Sequence, residues 1–293
     1  MKIAVYGRNF EKNDQATVQG FFNYMEKEGI PYIIESNYLH QLEKHFSLKP
    51  FAVYSNADEF LAHHANYLVS LGGDGTLLDV LSYVKNTLIP VMGINLGRLG
   101  FLSNIPKESA TEALDCLIKG RYRLEKRSML ELKSDAEIFD GLSFALNDFT
   151  IHKRDTGSMI SIDTYLNGEY FNTYWADGII VSTPTGSTAY SLSCGGPIIF
   201  PDSNNFVITP VAPHNLNIRP VVVSDNTVIS FRVEGRGNNY LVSLDSRYKI
   251  IDYSKEIAVQ KAPFSLNLVK LSNQNFINTL REKLIWGLDN RNF

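Results

Sequence analysis

Tyr67-Leu-Val-Ser-Leu-Gly-Gly-Asp-Gly-Thr76 joins a short apolar run to an acid set among three glycines. The run predicts a buried strand, and the glycines after it cost backbone entropy and side-chain packing, so they need a reason beyond chain reversal. Two readings supply one. Glycine lets backbone N–H groups approach a polyphosphate, and a helix opening at Thr76 turns its positive end toward anionic oxygens. Equally, the acid could simply cap a strand-to-helix turn. Taken alone, the motif leaves both open.

Upstream and downstream, apolar runs alternate with amphipathic segments. Residues 2–6 and 31–34 read as strands, and 14–28 between them as a helix that presents Val18, Phe21, Phe22 and Met25 on one face and ends at Gly29. The rhythm repeats with strand 67–71, a helix from Thr76 and strand 89–94. A helix over 109–119 then opens on a Ser109…Glu112 capping box and closes before Gly120. This predicts a Rossmann-like α/β domain with a parallel sheet over 1–120, whose ligands sit beyond the carboxyl ends of the strands, where Gly72–Gly75 lies. From 121 to 273 the pattern becomes consecutive strands, a mainly antiparallel β domain. Asn167-Gly168 marks a hairpin between 159–166 and 169–174, and 235–239 is read the same way between 228–233 and 240–244. Further runs lie at 178–182, 206–209, 221–223, 257–259 and 266–271. Finally, Phe276, Ile277, Leu280, Leu284 and Ile285, followed by Gly287, predict a helix over 274–287 that returns its apolar stripe to the α/β domain.

With 293 residues, 44% hydrophobic and 20% charged, the chain can build two cored domains. Its 28 Lys+Arg against 31 Asp+Glu give a net charge of −3 without a basic run, which argues against nucleic-acid and anionic-membrane partners. The opening apolar run is too short for a signal peptide and no window matches a membrane span, so a cytoplasmic location is expected. Cys116 and Cys194 lack metal or disulfide spacing and read as buried fillers, and the six histidines show no metal-ligand pattern. A P-loop is absent because Gly186-Ser187-Thr188 has no lysine, and the protein-kinase motifs and a Gly-x-Gly-x-x-Gly after the first strand are missing too. The glycines of 93–100 have a different spacing and read as close backbone approaches near the site.

Three later clusters place polar residues where strand packing would not ask for them. Asn147-Asp148 sits between Leu146 and Phe149. Asp177-Gly178 leads through an apolar strand into Thr183-Pro-Thr-Gly-Ser-Thr-Ala-Tyr-Ser-Leu-Ser193 and Gly195-Gly196-Pro197, a dense set of neutral donors of the kind that suits a nucleotide. The turn-rich 210–220 segment, with Ala212 and Arg219-Pro220, reads as a structural loop when taken alone.

In this order the blocks resemble the NAD kinase family: Gly-Gly-Asp-Gly-Thr at 72–76, Asn147-Asp148, Asp177-Gly178, Thr185-Gly-Ser-Thr-Ala-Tyr190, Gly195-Gly196-Pro197 and Arg219-Pro220. The resemblance implies transfer of the γ-phosphoryl of ATP, with Mg2+ or another divalent cation, to the 2′-hydroxyl of the adenosine ribose of NAD, giving NADP. It casts Asp74 as general base and Gly72, Gly73, Gly75 and Thr76 as the ATP phosphate site. Asp74, Gly75, Asn147, Asp148, Trp175, Asp177, Thr188, Ala189, Tyr190, Ser191, Leu192, Ser193 and Ala212 would bind NAD, with no protein metal ligand assigned. A homodimer or homotetramer is implied, with Tyr165, Tyr170, Phe171, Tyr174 and Trp175 offering aromatic surface. Many members carry Asn-Glu where this chain has Asn147-Asp148, and some an arginine where it has Trp175. The first motif is shared with diacylglycerol and sphingosine kinases, so a lipid kinase is the alternative enzyme, and a catalytically silent NAD(P)-binding regulator the alternative from another class.

Overall fold

The computed structural model describes residues 1–154, 157–272 and 274–286. Met1–Lys126, together with the chain from Leu266 onward, forms one compact unit, and Arg127–Ser265 forms another. The sequence reading drew its divisions at 120/121 and 273/274.

In the first unit, strands β1 (Ile3–Gly7), β2 (Tyr32–Glu35), β3 (Ala52–Tyr54), β4 (Tyr67–Leu71) and β5 (Val91–Asn95) lie parallel in the order β3-β2-β1-β4-β5. Helices α1 (Gln15–Lys27), α2 (Ser36–Leu42), α3 (Ala57–Ala62), α4 (Asp74–Asp79) and α5 (Leu81–Val84) connect them. Short β6 (Ile105–Pro106) pairs with β5, and α6 (Ala110–Ile118) follows. On α1, Val18, Phe21, Phe22 and Met25 are fully buried, at the predicted spacing. Each such side chain removed from water contributes about 1.5–3 kcal/mol, which is what commits this amphipathic segment to the sheet. Gly29 and Gly120 take positive φ after their helices, as C-terminal glycines do. The capping box at 109–112 is not formed. Ser109 is already coiled into a 3-10 turn, and its side chain makes no capping hydrogen bond. The compact elements α2, β3 and α3 escaped the periodic reading because each spans three to seven residues.

The second unit carries the end of β7 (Tyr122–Ser134), then β8 (Phe144–Ala145), β9 (Asp148–His152), β10 (Ile160–Leu166), β11 (Glu169–Ala176) and β12 (Gly178–Ser182). After the short helix α7 (Tyr190–Ser193) come β13 (Asn205–Val211), β14 (Val221–Ser224), β15 (Ile229–Glu234), β16 (Asn239–Leu244), β17 (Arg247–Asp252) and the start of β18 (Ile257–Leu271). One antiparallel sheet runs β14-β13-β12-β9-β16-β17, and the other contains β11-β10-β15 and residues 257–259. Their inner faces meet in a core that includes Leu130, Phe149, Ile162, Tyr174, Phe206 and Tyr240. Asn167-Gly168 makes the expected hairpin of β10 and β11, both residues at positive φ. The 235–239 hairpin is a misreading: β15 pairs with β10 and β18, β16 with β9 and β17, so this link carries the chain from one sheet to the other. The runs at 257–259 and 266–271 are one strand, β18, whose Leu268 pairs parallel to Val91 in the first unit.

The last helix, α8 (Phe276–Leu284), belongs to the first unit. Phe276 packs on Phe101, and Leu280 is buried, but Ile277 and Ile285 stay exposed, so the stripe is covered only in part. Gly287 lies outside the described residues. Cys116 and Cys194 are half-buried rather than fully buried, with free thiols.

Candidate functional site

Within the first unit, Gly72–Thr76 follows β4 at its carboxyl end. Gly72 has φ +153°, and a Cβ there would collide with the Thr76 side chain, so the chain can turn only on glycine. A Cβ on Gly73 would meet nothing within 4 Å, which leaves that stretch of backbone facing open space. Thr76 is buried beneath the turn, and α4 begins two residues earlier than predicted, at Asp74. Asp74 does not cap the helix. Its Oδ1 accepts hydrogen bonds from the backbone N–H of Leu102 (3.1 Å) and Ser103 (2.8 Å), and its Oδ2 accepts one from Phe101 (2.8 Å). Asn95, buried at the end of β5, shapes that receiving loop: its amide donates to the carbonyls of Arg98 and Ser103, and its oxygen accepts from Gly97 N–H. Gly100 must be glycine, since a Cβ would overlap the Asp74 carboxylate. Of the glycines of 93–100, Gly93 and Gly100 are close approaches as expected, whereas a Cβ on Gly97 would meet only Asn95 Oδ1, at 4.0 Å. Asn95 was missed because a buried amide on an apolar strand carries no pattern of its own.

In the second unit, β9 and β12 draw the polar clusters together. Asp148 pairs with Ser182, and Thr183 N–H donates to the carbonyl of Asn147 at 2.9 Å. The hydroxyl-rich loop therefore springs from beside Asn147-Asp148. Gly186 packs so closely on the Asn147 carbonyl that a Cβ would clash with backbone. Many of the loop hydroxyls are already engaged. Thr183 Oγ1 donates to Leu146 O, Ser187 Oγ to Pro184 O, Thr188 Oγ1 to Thr185 O, and Ser191 shares a hydrogen bond with Thr209. They build the loop more than they line it. Ala189 and Leu192 are half-buried, while Tyr190 and Ser193 are exposed.

At the opposite end of β12, Asp177 forms an ion pair with Lys153 at 2.6 Å. Its N–H donates to Val211 O, which sets it next to Ala212, a residue at φ +44°. Trp175 is exposed, its ring 5.2 Å from that of His214. Burial and then Cys194 raise the pKa of the Tyr190 phenol, with smaller contributions from Asp148 and Asp177.

Electrostatically, Asp148 stands out. It is 6% exposed, and burial first, then the charge of Asp245, push its carboxyl up to about 7. Asp245 was missed by the sequence reading, because an Asp-Ser-Arg between two strands looks like an ordinary turn. At φ +53° it accepts hydrogen bonds from the N–H groups of Leu146 (2.9 Å), Asn147 (2.7 Å) and Asp148 (3.2 Å) and returns its own N–H to Asp148 O. Burial raises its carboxyl as well, against those three donors and the nearby Arg247. The chemistry on offer is a fixed carboxylate beside an open glycine backbone in one unit, and in the other two carboxyls, an amide and an aromatic suited to ribose hydroxyls and a base. Among the described residues no group of three or more His, Cys, Asp or Glu is placed to hold a metal ion, and no helix is long and apolar enough to cross a membrane.

Residues 11–122 match the ATP-NAD kinase N-terminal domain and residues 146–271 the ATP-NAD kinase C-terminal domain. The chain is 45% identical over 294 residues to a Cytophaga hutchinsonii NAD kinase, covering 100% of both chains. It is 42% identical to a Porphyromonas gingivalis NAD kinase, covering 98% of each, and 40% identical to one from Bacteroides fragilis, covering 99% of this chain and 100% of that one. In fold it is similar to yeast NADH kinase complexed with NADH, with TM-score 0.88 and 22% identity over 99% of this chain and 88% of that one. It is similar also to an Archaeoglobus fulgidus NAD kinase in complex with ATP, with TM-score 0.74 and 24% identity over 97% and 99%.

Proposed function

The chain belongs to the NAD kinase family, and on that premise we propose which of its residues carry the reaction. The activity is transfer of the γ-phosphoryl of ATP to the 2′-hydroxyl of the adenosine ribose of NAD, giving NADP and ADP. Asp74 is the general base. It takes the hydroxyl proton as the 2′-oxygen bonds to the γ-phosphorus and the bond to the leaving ADP oxygen breaks. The observation that carries this assignment is its hydrogen bonding. A carboxylate offers about four acceptor positions; three are filled by the N–H groups of 101–103, and the one left over belongs to Oδ2. The side chain is thus held in one orientation with a single outward lone pair.

Gly72, Gly73, Gly75 and Thr76 form the triphosphate site. The second unit is the NAD-binding domain: Asn147, Asp148 and Asp177 take ribose hydroxyls, residues 188–193 and Ala212 the adenine and its ribose, and Trp175 a ring face. Divalent metal enters as the MgATP substrate, a mode that suits a cation coordinated mainly by phosphate oxygens and water. The protein works in the cytoplasm as a homodimer or homotetramer. Purified protein with ATP, Mg2+ and NAD, coupled to glucose-6-phosphate dehydrogenase, reports NADP directly. Product formation is expected, and none from NAD or NADH would overturn the reading. Asp74→Asn is expected to lower kcat by ~10² or more with the fold intact, and near-normal turnover would remove Asp74 from its role.

A further inference from the structure

The order β3-β2-β1-β4-β5 reverses direction at one place. From β1 the chain proceeds outward to β2 and β3, and from β4 it proceeds the other way to β5. In open parallel sheets a ligand crevice forms at such a reversal, beyond the carboxyl ends of the two central strands. Those ends are adjacent here, with Gly7 of β1 in register with Leu71 of β4. The β4 side of the crevice supplies Gly72–Thr76, and the first side chain after β1 is Arg8.

Arg8 is held with an unusual degree of definition for a surface arginine. Its Nε and Nη2 grip the two oxygens of Asp79 at 2.7 and 2.6 Å, a planar two-point pairing that fixes the guanidinium. Asp79 lies at the end of α4, and the Tyr6 hydroxyl donates to it as well, at 3.2 Å. Nη2 also leans on the Gly75 carbonyl at 3.5 Å. The third nitrogen, Nη1, has no hydrogen-bond partner among the described residues and sits 3.6 Å from where a Cβ on Gly75 would be. Gly75 is exposed, and the Arg8 side chain is 49% accessible. The two N–H donors of Nη1 are therefore left over beside the glycine-rich backbone, on a guanidinium whose charge is already paired with Asp79. Asp74 and Asp79 put two carboxylates beside the place assigned to a triphosphate, and Arg8 offsets one of them.

We propose that Arg8 binds the polyphosphate chain of ATP through Nη1, with Asp79 as the residue that positions it. This rests on ATP being the phosphoryl donor. It adds a cation to a site so far built from glycine backbone, and it makes Asp79 part of donor binding although Asp79 touches no substrate.

The test compares wild type with Arg8→Gln, Arg8→Lys and Asp79→Asn by steady-state kinetics and by calorimetric titration with MgATP and, separately, NAD. Arg8→Gln is expected to raise KM and Kd for ATP by about 10- to 100-fold while leaving those for NAD within about twofold. Arg8→Lys should recover part of the loss, since it keeps the charge but not the fork. Asp79→Asn should weaken ATP binding by a smaller factor, because Arg8 remains but is no longer fixed. An unchanged ATP affinity in Arg8→Gln overturns the proposal. So does a parallel loss for ATP and NAD in both Arg8 variants, which would mark a purely structural role. A wild-type protein that binds MgATP yet makes no NADP would contradict the kinase reading and leave the Arg8 titration interpretable.

Discussion

Asp148→Asn separates what the fold wants from what the ligand wants. Its carboxyl is buried and pushed to about 7, against an ordinary aspartate value of 3.8. In the folded chain this group therefore holds its proton to higher pH than in the unfolded chain. Its contribution to stability is fully present below about pH 4, declines as pH rises, and is lost by the time pH passes 7. A rise of about three pH units corresponds to about 4 kcal/mol at ~1.4 kcal/mol per tenfold change. A neutral asparagine escapes this penalty. Linkage puts its advantage over wild type at about 1 kcal/mol at pH 4.5 and about 4 kcal/mol at pH 8. An incompletely satisfied amide subtracts about 1 kcal/mol at both. The gap between the two proteins should thus widen by about 3 kcal/mol across that range. Urea unfolding at a series of pH values in the absence of nucleotide measures it. Calorimetry with NAD at pH 8 should show the opposite ranking, with binding weakened about tenfold or more by loss of a charged acceptor for ribose hydroxyls. A stability gap that stays constant from pH 4.5 to 8 would refute the reasoning, because burial of the charge would then not be its source.

Three further outcomes follow from the same geometry. Gly100→Ala forces the Asp74 carboxylate out of its present position, so kcat should fall by ~10²; equal turnover would show that Asp74 tolerates displacement. Gly186→Ala sets a methyl against the Asn147 carbonyl and should cost about 2 kcal/mol or more in urea unfolding and raise the KM for NAD more than that for ATP. Removal of divalent cations with EDTA should stop turnover without shifting the melting temperature of the nucleotide-free protein, and a large drop in that temperature would reveal a resident structural metal.

Local chemistry was legible in the sequence where it is set by neighbours in the chain. Asn167-Gly168 forces a hairpin because both residues accept positive φ, and Val18, Phe21, Phe22 and Met25 define a helix face by spacing alone. Partner choice was not legible. The 235–239 segment has the residues of a turn, but nothing in it says that the strands on either side belong to different sheets. The same limit hid the supporting residues of the candidate site. Asp245 acts on backbone 97 to 99 positions away, and Arg8 reaches Asp79 across 71, so neither could be found before the topology brought them together. The motif residues were visible because nucleotide chemistry demands rare local combinations; the residues that aim them use common side chains at long range.

Among the described residues the grip on Asp74 comes entirely from main-chain N–H groups, and this shapes how the protein can vary. Phe101, Leu102 and Ser103 can each exchange side chains without withdrawing a donor, since every amino acid except proline brings the same N–H. An alanine scan of 101–103 would therefore pass over the hold these three residues have on Asp74. Drift at the half-buried Phe101 can likewise change that side chain while the Asp74 carboxylate keeps its aim. Proline scanning is the mutagenesis that would expose it.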